Sequence, residues 1–66
     1  VNVHIRPGTK VLSLDPVGTV GEMLNVLGMR REEVLVIDRE EGILLQEGDK
    51  LSPDQSIEVR RVISGG

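Results

Sequence analysis

The chain has no phenylalanine, tyrosine, tryptophan or cysteine, and a single histidine in 66 residues. Without aromatic rings there is no platform on which bases could stack. With eleven acidic against eight basic residues and a formal net charge of −3, direct binding to nucleic acid is not expected. An excess of acid instead suits a basic groove on another protein. Without cysteine there is no disulfide, and His4 alone cannot build a zinc site, so neither staple common in small domains is available. The core must therefore be made of Val, Leu, Ile and Met. No apolar run approaches the ~20 residues of a membrane span, and no charged-then-apolar segment opens the chain at Val1. These absences point to a cytoplasmic protein, and the lack of cysteine is compatible with a reducing compartment.

A chain of this length is one domain, and it buries only about 60% of the surface its unfolded form exposes. Its thin core leaves no room for a deep active-site cavity. Val1, Val3 and Ile5 alternate with Asn2, His4 and Arg6, the period-two pattern of a half-buried strand. Pro7-Gly8 is a turn dipeptide, and Lys10 to Asp15 reads as the returning strand, with Leu12 and Leu14 inward. Thr19 and Glu22 form a capping box that starts a helix. Val20, Met23, Leu24 and Leu27 make its apolar stripe, and Gly28 with Met29 gives a left-handed Schellman ending. Gly21 weakens the first turn by about 0.5–1 kcal/mol relative to Ala. Arg30 to Glu33 is a polar connection.

Val34 to Asp38, rich in β-branched residues, reads as a buried third strand. Its Ile37 is expected to pack under the helix with Val3, Ile5 and Val59. Glu40-Glu41-Gly42 turns the chain into a short strand, Ile43 to Leu45. Gln46 to Gln55 is loop, anchored by Leu51. The closing strand places Ile57, Val59 and Ile63 inward, and Glu58, Arg60 and Val62 outward. The expected architecture is α+β: a mixed sheet of four to five strands with one main helix packed on one face. Nothing remains to cover the other face.

Little in this pattern supports catalysis. Nucleophilic chemistry needs a nucleophile, a base and an orienting group. His4 is expected to be exposed and inert, and Ser13, Ser52, Ser56 and Ser64 have no base. Asp38 to Gly42 has the wrong spacing for a calcium loop, which wants glycine at its sixth position; it reads as a solvated turn. Pro7 to Lys10 lacks P-loop spacing. Arg60 and Arg61 either guide the chain's end onto an acidic partner or solubilise a strand end. What stands out is the terminus: Ser64-Gly65-Gly66 directly follows a strand. Two glycines have the most freedom to lose on ordering, and they make a bare tail that threads a channel closed to any Cβ. That tail carries an α-carboxylate at its tip.

A strand-turn-strand, a capped helix, two further strands and a closing strand ending in Val62-Ile63-Ser64-Gly65-Gly66 resembles the ubiquitin-like β-grasp proteins. Among them the chain is similar to the small prokaryotic sulfur carriers ThiS and MoaD and their archaeal relatives. The resemblance implies a β-grasp domain over 1–63 and a flexible tail over 64–66. It implies that a ubiquitin-activating-type enzyme spends ATP to adenylate the Gly66 carboxylate, and that sulfur then replaces AMP to give a thiocarboxylate. Gly65 and Ser64 would thread the enzyme's channel, while Arg60 and Val62 would meet its surface. The chain itself would be no enzyme and would bind no cofactor. A synthase or thiolase of thiamine, molybdopterin or tRNA-thiolation chemistry would accept the sulfur. The alternative is a modifier joined through Gly66 to target lysines; a third reading is an interaction domain working through its open sheet face. Ser64 departs from the Ile-Ala-Gly-Gly-like ending of ThiS-type chains. The aromatic residue usual near a MoaD-type tail is absent, so the pathway stays open.

Overall fold

The computed structural model describes residues 1–62, and along them the chain runs β1 (Asn2–Arg6), β2 (Lys10–Ser13), α1 (Val20–Leu27), a 3-10 turn (Arg31–Glu33), β3 (Val34–Asp38), β4 (Ile43–Leu44) and β5 (Ser56–Arg61). The inward position expected for Ile63, the tail Ser64-Gly65-Gly66 and the boundary after residue 63 lie outside the described residues. The five strands form one sheet in the order β2-β1-β5-β3-β4. The first and last strands, β1 and β5, pair parallel, and every other pairing is antiparallel. The fold is α+β, a mixed five-stranded sheet with one α-helix.

Local chemistry fixes both ends of α1. The Thr19 hydroxyl accepts from the Glu22 amide at 3.2 Å, satisfying one of the orphan donors of the first turn. The Glu22 carboxylate returns one residue earlier than a capping box requires, accepting from the Gly18 amide at 3.2 Å. The loop after β4 also reaches this end of the helix. Thr19 is bridged to Lys50, and the Val20 and Gly21 amides donate to the carbonyls of Asp49 and Glu47 at 3.0 and 2.9 Å. The loop thus completes the cap from outside the helix. A Cβ on Gly21 would stand 3.0 Å from Glu47 Cγ, so the helix-weakening glycine admits this close approach. At the other end Gly28 takes φ +70°, and the Met29 amide donates back to Leu24 O at 2.9 Å, the long bond of a Schellman motif.

Val20, Met23 and Leu24 of α1 pack with Val1, Val3, Val34, Val36, Leu51, Ile57 and Val59 in one aliphatic core. Ile5, Leu12, Leu14, Leu27, Met29 and Leu45 pack at its margin, so the expected inward residues of β1 and β2 and the Leu51 anchor are found there. The expectation for Ile37 fails: it does not lie under the helix. Its cross-strand partner on β5 is Glu58, whereas Val36 pairs Val59. Directly paired residues share a sheet face, so Val34, Val36 and Asp38 face α1 while Leu35 and Ile37 face away. Asp38 is accordingly buried. Its carboxylate accepts from the Glu40 amide at 3.0 Å and from Gln55 Nε2 at 3.4 Å.

Leu24→Ala should cost about 2–5 kcal/mol through the cavity it leaves, a large share of the stability of so small a domain. Val26→Ala, on the solvent side of the same helix, should stay within about 0.5 kcal/mol. Chemical denaturation of the two variants checks both values.

Candidate functional site

The sheet face turned away from α1 collects residues that sequence order keeps far apart. In β1 and β5, Val3, Ile57 and Val59 are fully buried, which turns Asn2, His4 and Arg6, and Ser56, Glu58 and Arg60, to the opposite side. The parallel register sets His4 beside Glu58 and Arg6 beside Arg60. Across the other flank, Ile37 lies beside Glu58 and Leu35 beside Arg60. Val11 of β2 is opposite His4, and Leu44 of β4 is opposite Ile37. Polar groups therefore occupy the middle strands. Apolar side chains flank them, and Val11, Leu35 and Leu44 are 55%, 42% and 60% exposed.

Arg39, the first residue past β3, ties this surface together. Its amide donates to Ser56 O at 3.1 Å, and its guanidinium crosses β5 to reach the ring of His4, with Nη1 3.0 Å from Nδ1 and also within reach of Nε2. A guanidinium only donates, so the imidazole must offer a lone pair and be neutral. Partial burial, and then the charges of Arg39 and Arg6, hold the His4 pKa below its ordinary 6.5 against the opposing pull of Glu58. His4 is thus half-buried and hydrogen-bonded to Arg39, where the sequence led us to expect an exposed side chain. The Arg60 guanidinium donates to the Glu58 carboxylate. That bond, with the charges of Arg60, Arg6 and Arg39, lowers the Glu58 pKa against the opposing effect of burial. Arg6 donates to Gly8 O at 3.0 Å.

Charge is consequently segregated. Among the described residues, a chain of net charge −3 presents Arg6, Arg39 and Arg60 against the one acid Glu58 on the strands of this face. The net acidity of the chain is therefore not the charge of this face, where arginines outnumber the acid.

Of the residues singled out for partner contact, Arg60 lies on this face and Val62 is 50% exposed just beyond β5. The Val62 amide still donates to Glu33 O at 2.8 Å. Beside Arg60 opens a depression of about 400 Å³ lined by Arg6, Pro7, Arg60 and Arg61. Ser64, Gly65 and Gly66 lie outside the described residues. At the opposite end of β3 and β5 a second depression, of about 510 Å³, is lined by Asp38, Glu40, Glu41, Asp54, Lys50, Ser52 and Gln55. Among the described residues no group of three or more His, Asp or Glu side chains is arranged to hold a metal ion, and no helix is long and apolar enough to cross a membrane. No protein-family model matches the sequence, and no curated protein matches it.

His4 provides a solution check of this geometry. Its imidazole should titrate below 6.5 in the folded protein, and Arg39→Ala should move the midpoint back toward 6.5, as followed by proton NMR of the ring. Unfolding frees the ring to take up a proton more readily. The stability linked to His4 is therefore complete above 6.5 and falls as pH drops through the lower native pKa.

Proposed function

We propose that the chain is a β-grasp carrier protein whose Gly66 carboxylate is the group that reacts. The strand order, with first and last strands parallel at the centre and one helix following the first hairpin, supports the β-grasp reading. The observation that carries the functional one is the continuity of β5 with the glycine tail. Val62 is still hydrogen-bonded to the neighbouring segment, and three residues separate it from Gly66. Extended, that segment reaches roughly 13 Å. A partner that grips the sheet face beside Arg60 and Val62 therefore has the carboxylate within a short, defined radius, and orientation rather than tail affinity drives the reaction.

The chemistry follows from the group. A carboxylate is a poor electrophile; attack of its oxygen on the α-phosphorus of ATP, with loss of pyrophosphate, converts it into an acyl adenylate. The terminal sulfur of a partner's persulfide then attacks the carbonyl carbon and AMP leaves. A second thiol on the partner cleaves the resulting acyl persulfide, forming a disulfide and releasing the thiocarboxylate. That product is a soft nucleophile able to deliver sulfur to a biosynthetic acceptor. A lysine amine attacking the same adenylate would give an isopeptide bond, so a sulfur carrier and a protein modifier share the first step. ATP belongs to the activating enzyme, and the carrier itself supplies the docking face and the tail.

Deletion of Gly66 shortens the reach, and Gly65→Val widens the tail where the channel would be narrowest; neither alters a residue of the described core. Both variants should remain folded and lose ATP–pyrophosphate exchange with the activating enzyme, whereas Val62→Asp should weaken the complex without unfolding the chain. Exchange at the native rate after deletion of Gly66 would overturn both the sulfur-carrier and the modifier reading.

A further inference from the structure

We propose that the open sheet face is a docking surface for an acidic protein segment, and that Glu58 holds, within the chain itself, the place of a partner carboxylate. The idea concerns the face and not the tail, so it stands or falls apart from the fate of Gly66. Three guanidiniums share this face with one carboxylate. Arg60 bonds Glu58 directly, while Arg6 and Arg39 reach it only through their charge. Arg6 and Arg39 otherwise spend donors on neutral acceptors, the carbonyl of Gly8 and the ring of His4.

Each guanidinium has five N–H donors in a fork that matches a carboxylate. Among the described residues the cluster thus keeps both positive charge and donors beyond those engaged by Glu58, Gly8 and His4. Its borders say which kind of anion would fit. Val11 lies on one side, and Leu35, Ile37 and Leu44 on the other. From β2 to β4 the face spans four inter-strand spacings, roughly 19 Å. A partner segment that fits places Asp or Glu at its centre and aliphatic side chains at its ends. Aliphatic flanks with no aromatic ring to stack a base favour a protein segment over a nucleic acid.

The internal carboxylate gives the proposal an unusual sign. Glu58→Gln removes the competitor and frees Arg60, so it should tighten binding of an acidic segment. A general charge effect would do the same for any glutamate, which makes Glu32→Gln, on the 3-10 turn, the matched control. On the cationic side Arg39→Gln is paired with Arg30→Gln.

The experiment titrates the full ¹⁵N-labelled chain with a capped peptide carrying an Asp-Glu pair flanked by leucines, and separately with a single-stranded RNA oligonucleotide. The spectra also report whether each variant is folded. Saturable shifts should map to β1, β5 and Arg39 and weaken with added salt. Glu58→Gln should tighten the peptide several-fold, and Arg39→Gln should weaken it by about tenfold, the scale of a charge-assisted hydrogen bond. Glu32→Gln and Arg30→Gln should leave it unchanged. Absence of saturable shifts, equal responses of Glu58→Gln and Glu32→Gln, or tighter binding of the RNA would each overturn the proposal.

Discussion

The parallel pairing of β1 with β5 is the constraint on which the rest of this small protein depends. It joins the first strand of the described chain to the last, from Asn2 beside Ser56 to Arg6 beside Arg60, and places both in the middle of the sheet. Every other element is then held from the centre outward. β2 folds back on β1, β3 pairs with the far side of β5, and β4 edges β3. Val3, Ile57 and Val59, fully buried on these two strands, form the floor on which α1 rests. A parallel pair needs a crossover rather than a hairpin, and the intervening chain supplies it with a helix on one side only.

That one-sidedness links the fold to the site. The apolar alternation that buries Val3 and Val59 sends His4, Arg6, Glu58 and Arg60 to the other face without choice. Because β1 and β5 are adjacent, those charged residues meet at the sheet centre rather than dispersing along its edges. Arg39 then reaches across from the end of β3 to His4. The result is a basic patch on a chain of net acidic composition. β5, which contributes Glu58 and Arg60, ends at Arg61, shortly before the Gly65-Gly66 terminus in the sequence; in the proposed function that short stretch would couple docking to delivery.

Much of the fold is legible in the sequence wherever a signal is local. Thr19, the stripe from Val20 to Leu27 and Gly28 specify α1 almost residue by residue, and the alternation in β1 fixes its faces. β3 is different. Val34-Leu35-Val36-Ile37 is apolar at every position, so its own pattern holds no phase; pairing with β5 decides it by setting Val36 against Val59. Burial of Asp38 follows from the same phase and from Gln55, which lies far along the chain. The loop around Glu47 and Asp49 that completes the α1 cap likewise lies far along the chain.

For the site, the sequence marks the tail and the exposed arginines near it, Arg60 above all. The cluster around His4 is invisible there, because Arg39 is 35 residues away and only the sheet order brings it close. The central functional claim is tested most directly by the intact mass of the chain after incubation with ATP, the activating enzyme and a persulfide donor. A gain equal to sulfur replacing one oxygen, confined to Gly66 by fragmentation, is the result expected. An unchanged mass, with an enzyme shown in parallel to thiolate another carrier, would contradict it.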